Sequence, residues 1–274
     1  MMLWTFDRVF RVNAMGRSNR LYKQNFLKEH PFCCFCGGIK PAEEIDHVPG
    51  RVFFRDRQWP VGYIFPACIE CNRATRYEEK VIALLSRFDN SDQTESGNAE
   101  FEKMFSEVAR HNPKFISDIR QLSANEIRRF LKDRNIEKPI GIVSSDIPVV
   151  KIGNIVNKSV RKFGRKLFLA LWFKHTGKAL PKSGGMRIIW MTNASPEIDD
   201  ATLTTIFKTL SGIPSIIKNS HHLHDQFSYR YLVTTTGDGA GFFVWFRQSF
   251  GLLCTMAVDK SMIQRDLENI EVPF

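Results

Sequence analysis

The chain has 274 residues, 43% of them hydrophobic, 12% aromatic and 25% charged, and a net charge of +10. That length can bury a core as one large domain or two small ones, and the composition excludes a disordered polymer. The positive surplus points toward polyanionic partners, nucleic acid above all, although an incidental basic surface gives the same number.

No apolar run reaches the ~18 residues of a membrane span, which argues against a membrane partner. Met1–Arg20 scatters Asp7, Arg8, Arg11, Arg17 and Arg20 where a signal peptide needs an unbroken apolar core. A cytoplasmic protein is expected, and in that compartment clustered cysteines favour metal over disulfides.

In chain order, residues 1–30 read as an irregular arm and a short helix around Leu21–Glu29, ending before Pro31. Residues 31–89 hold a cysteine-rich segment and a helix from Asn72 into Val81–Leu85. The polar run Asp89–Asn98 is the best boundary, dividing a region 1–90 from a region 100–274. Phe101, Met104, Phe105 and Val108 recur at helical spacing, Pro113 closes that element, and Ser123-x-x-Glu126 fits a capping box.

Residues 151–176 are the most periodic stretch. Ile152, Ile155, Val156, Phe163, Leu167, Leu171 and Trp172 form an apolar stripe, and Lys158, Arg161, Lys162, Arg165 and Lys166 fall mostly on the other face, with Gly177 as the stop. Such a basic face suits either solvent or a phosphate backbone, where Arg161 and Arg165 would make contact. Beyond it, Met186–Met191 reads as a strand and Ala201–Leu210 as a helix. Ser228–Thr236 and Phe242–Val258 read as strands joined by a turn at Gly237–Gly241, giving three or four antiparallel strands. The fold class is therefore α+β.

The chemistry concentrates between residues 33 and 72. Cys33 and Cys36, and again Cys68 and Cys71, are Cys-x-x-Cys pairs, each suited to a turn presenting two thiolates to one tetrahedral structural Zn2+. Cys34 and Cys254 are left over, the latter in an apolar run that suggests core packing. Between the knuckles lies Asp46-His47 in a β-prone run ended by Pro49. Adjacent side chains on a strand project to opposite faces unless the strand twists or bulges. A carboxylate can hold a hard cation and an imidazole can take a proton from water. Asn72 could complete a cation's shell or simply cap a helix, and Arg73 and Arg76 follow where they could grip phosphate. A second histidine cluster, His221-His222-Leu223-His224, reads as a polar loop, and His175 as a cation closing a helix C-terminus.

The order Cys-x-x-Cys-Gly, Asp-His-Val-Pro, Cys-x-x-Cys-Asn over residues 31–80 resembles the HNH endonucleases of the zinc-knuckle subgroup. The resemblance implies a ββα-metal module with a structural zinc, followed here by a helical segment and a C-terminal α+β region. It implies phosphodiester hydrolysis in DNA, with His47 as general base and Asp46 and Asn72 holding one Mg2+ or another divalent cation. Tyr63 stands where the family carries a middle Asn that steadies the loop orienting the histidine. The other reading is a zinc module without catalysis that binds nucleic acid or a protein. Under the nuclease reading, the basic helix at 151–176 and the C-terminal region within 100–274 would supply substrate grip, contacts with a protein partner or a second copy, or regulation.

Overall fold

The computed structural model describes residues 20–88, 95–133, 137, 143–144, 150–192, 200–247, 249–263 and 270–274. The arm at 1–19 and most of the boundary run, 89–94, lie outside these. Helix α1 covers 20–29. Strands β1 (Glu44–His47) and β2 (Ile64–Ala67) pair antiparallel, with Asp46 opposite Phe65 and His47 opposite Ile64. The expected helix from Asn72 is two pieces, α2 (Ile69–Arg73) and α3 (Arg76–Leu85), because Thr75 leaves helical geometry at φ −119°, ψ 15°.

Helix α4 spans Glu95–His111 and α5 Lys114–Asp118; strand β3 (Ile119–Gln121) pairs with β4 (Val150–Ile152). The capping box before α6 (Ala124–Asp133) forms as the pattern predicts. The Ser123 N–H donates to Glu126 Oε2 at 3.0 Å and the Glu126 N–H returns to Ser123 Oγ at 3.4 Å.

Helix α7 (Asn154–Thr176) is the axis of the molecule. Gly177 adopts φ 70° and its N–H closes onto the Phe173 carbonyl at 2.8 Å, a left-handed stop that favours glycine. The helix is buried along Val156, Val160, Phe163 and every residue from Lys166 to Trp172. The expectation of a solvated basic face holds at exposed Lys158 and is corrected at Lys166, while the cations between them are drawn into ion pairs. Lys166 is 1% exposed, Lys162 contacts Glu78 at 2.8 Å, and Arg161 and Arg165 both reach Glu271 (3.6 and 3.9 Å).

The C-terminal half holds a five-stranded antiparallel sheet, ordered β11 (Ile270–Glu271), β5 (Gly185–Thr192), β10 (Phe250–Ala257), β9 (Gly239–Phe246), β8 (Ser228–Val233). The predicted long strand Phe242–Val258 is two strands, reversed around Arg247 at φ 52°. The first hairpin turn sits at Gly237 (φ 70°), so Gly239–Gly241 belong to β9. Two-residue alternation sorts the sheet's faces. Phe242, Val244, Phe246, Leu252 and Cys254 join the main core with α7, whereas Phe243, Trp245, Leu253 and Met191 meet α8 (Asp200–Thr209) on the opposite face. Helix and sheet approach closely at Gly164, where a Cβ would lie 3.3 Å from Ile188.

One hydrophobic cluster runs from the cysteine segment through α7 into this sheet. Phe53, in the loop after β1, lies 5.1 Å from the ring of Phe163 and 4.6 Å from that of Phe246. Small strands β6 (Ile217–Lys218) and β7 (His221–His222) form a separate hairpin. Among the described residues, no helix is long and apolar enough to cross a membrane.

Candidate functional site

Two elements bring the four knuckle cysteines together. The turn at 33–38 needs positive φ at Gly37 and Gly38 (both 74°), and within it the Phe35 N–H points at Cys33 Sγ (3.4 Å). Cys68 occupies the N-cap position of α2 and Cys71 lies one turn along it. All four sulfurs fall within 4.8 Å of one another, a buried tetrad that could hold a metal such as zinc. A hydrogen bond from the Cys71 thiol pulls the pKa of Cys33 below the ordinary cysteine value. Cys34 is buried, and burial holds its thiol neutral; Cys254 is core, as its apolar run predicts.

Strand β1 packs against α2 and divides its side chains between two faces. On the inner face lie Glu44 and Asp46. Asp46 is 7% exposed and its Oδ2 sits 2.7 Å from the Lys166 ammonium. The same ammonium reaches the Asn72 carbonyl at 3.1 Å and Glu79 Oε1 at 3.4 Å. Burial pushes Asp46 up to about 6 against the pull of Lys166, and the two carboxylates outweigh burial to hold Lys166 charged. The Asn72 side-chain amide donates to Glu44. Asp46 and Asn72 are thus neighbours, but their polar groups are engaged by Lys166 and Glu44.

His47 projects from the other face of β1. It is half-buried, edge-on to Trp59 (4.7 Å between ring centres), with Arg51 Nη2 3.4 Å from its Nε2. Burial first, then the charges of Arg51 and Lys218, lower its pKa to about 4. Its ring is therefore neutral at pH 7 and can accept a proton. His47 should titrate near pH 4 when its ring protons are followed by NMR; a midpoint near 6.5 would contradict this environment. The stability tied to its neutral ring is full above pH ~6.5 and lost as pH falls toward 4.

Tyr63 is 1% exposed. Its carbonyl accepts from the Val48 N–H at 3.3 Å and its hydroxyl donates to Tyr229 at 3.2 Å. The expected cationic cap at His175 is corrected. Its Nε2 meets the Tyr229 hydroxyl at 2.9 Å, its ring stacks on Tyr231, and burial lowers its pKa to about 4, leaving it neutral. Arg73 on α2 and Arg76 on α3 are exposed, whereas Arg165 packs over Phe274 as well as meeting Glu271. His222 and His224 lie ring to ring at 5.9 Å; among the described residues, only the four cysteines form a cluster able to hold a metal.

Sequence reading missed the partners that complete the site. Lys166 was legible in principle, since it lies three residues after Phe163 and four before Ala170, on the apolar stripe. Lys218 carried no local signal. No family model, curated protein or solved structure matches the chain.

Proposed function

We propose that the chain is an HNH-type endonuclease that hydrolyses phosphodiester bonds in DNA, with zinc on Cys33, Cys36, Cys68 and Cys71 as a structural clamp. The observation that carries this reading is the placement of His47 at the end of β1, its Nε2 3.4 Å from Arg51 Nη2 and its ring edge-on to Trp59, with no carboxylate recorded against it among the described residues. His47 takes the proton from a water as that water attacks phosphorus, and Arg51 and Lys218 offset the charge that builds on the phosphate. A divalent cation, when held by Asp46 and Asn72, would supply stabilisation of the leaving oxygen. As the residues are arranged, the Lys166 ammonium occupies the Asp46 oxygen such a cation would use, so cation and ammonium compete for one carboxylate.

That same ion pair favours the second reading, a zinc module that binds nucleic acid without cutting it. Supercoiled plasmid incubated with zinc-loaded protein, with and without added Mg2+ or Mn2+, separates the two. The nuclease nicks or linearises plasmid only when the cation is added. Binding without cleavage under every condition would establish the second reading. Omitting cation is preferable to adding EDTA, which would also strip the structural zinc.

A further inference from the structure

The His47 face is completed by a segment more than a hundred residues away. The Val61 N–H donates to the Ile217 carbonyl at 2.9 Å, docking β6 against the loop that carries Trp59. Lys218 pairs with His221 across a two-residue turn, Asn219 (φ 46°) and Ser220 (φ 67°), a left-handed pair that suits a tight hairpin and fixes where Lys218 stands. A second tie holds the opposite wall. The Arg55 N–H donates to Gln226 Oε1 at 2.7 Å and Arg55 meets Asp225 at 3.7 Å, so the loop bearing Arg51 is fastened to the chain just after β7.

Trp59 holds both cations. The Arg51 guanidinium carbon lies 3.7 Å and the Lys218 ammonium 4.7 Å from its ring centre, with His47 at its edge. Among the described residues, neither Arg51 nor Lys218 has a carboxylate partner, unlike Lys166, Lys162 and Arg165, each of which does. Two cations held over one indole, beside the His47 ring and with no carboxylate partner among the described residues, leave room for an anion with several acceptor oxygens.

We infer that Arg51 and Lys218 form a phosphate clamp on the His47 face that takes a backbone phosphodiester of a nucleic-acid strand, Lys218 being supplied by the β6–β7 hairpin. The choice of a phosphodiester rests on the nuclease reading, but the clamp itself requires only binding. A fluorescent 20-base-pair duplex is titrated with the full zinc-loaded protein, without Mg2+ or Mn2+, over a series of salt concentrations. The variants are Lys218→Gln and Arg51→Gln, which keep the stems over Trp59, and Lys158→Gln, an exposed lysine of α7, as a control. Each clamp variant should weaken binding about tenfold or more and reduce the slope of log affinity against log salt by about 1, with Lys158→Gln near wild type.

Unchanged affinity and slope in both clamp variants would overturn the clamp. So would inorganic phosphate binding that depends on Lys218 and Arg51 while duplex binding does not, which would mark a site for free phosphate. Clamp-dependent binding by a protein that never cleaves would uphold the clamp and sink the nuclease reading; plasmid cleavage with duplex binding indifferent to both variants would do the reverse.

Discussion

Cys68→Ser is expected to unfold the segment from Cys33 to Leu85 rather than loosen it. Its two strands have four residues each and α2 has five, too little structure to stand alone, since an isolated two-stranded hairpin is marginal in water. The sulfur tetrad ties both knuckles to one point, and a structural zinc contributes roughly 10–16 kcal/mol of apparent binding energy that is also folding energy. That is comparable to the whole net stability of a domain, about 5–15 kcal/mol. The loss would spread, because Phe53 joins this segment to α7 and the sheet. The melting temperature should fall by roughly 15 °C or more, and zinc stoichiometry should drop from one to near zero. One bound zinc and a wild-type melt in Cys68→Ser would remove the tetrad from the account of the fold.

Lys166→Met should cost about 3–5 kcal/mol, the toll of leaving buried carboxylates without their cation. The substitution keeps the stem's volume, so the loss reports charge rather than packing. Asp46 and Glu79 would face each other across the vacated position, and the Asn72 carbonyl would lose its donor. A drop of about 8–15 °C is expected in thermal melts. The same variant tests the cation assignment. If Asp46 and Asn72 can hold a divalent ion, millimolar Mg2+ or Mn2+ should raise the melting temperature of Lys166→Met well above any rise in wild type. A deficit that neither ion relieves would argue that Asp46 serves only as the partner of Lys166.

What the sequence disclosed and what it hid follow from the range of each interaction. The knuckle spacings, the capping box at Ser123 and Glu126, the stop at Gly177 and the alternation of β9 depend on residues within a few positions of one another, and all are readable locally. The split of α2 from α3 at Thr75 and the reversal at Arg247 were hidden because each turns on a single residue within an otherwise continuous pattern. Helix α7 was misread for a different reason. A stripe of Lys and Arg predicts solvent only if no acids face it, and Glu78, Glu79, Asp46 and Glu271 come from elements distant in sequence. Asp46 and His47 were correctly placed on opposite faces of a strand, but what each face meets is tertiary: Lys166 on one, Trp59 and Lys218 on the other.

The most direct test of His47 as a general base is plasmid cleavage by His47→Ala beside wild type, in the cation that supports wild-type activity, with duplex affinity measured in parallel. Removing a general base should lower the cleavage rate by about 10²–10⁴-fold while the zinc content, melt and duplex affinity stay near wild type. Cleavage by a folded His47→Ala protein at the wild-type rate would contradict the assignment and place the chemistry elsewhere.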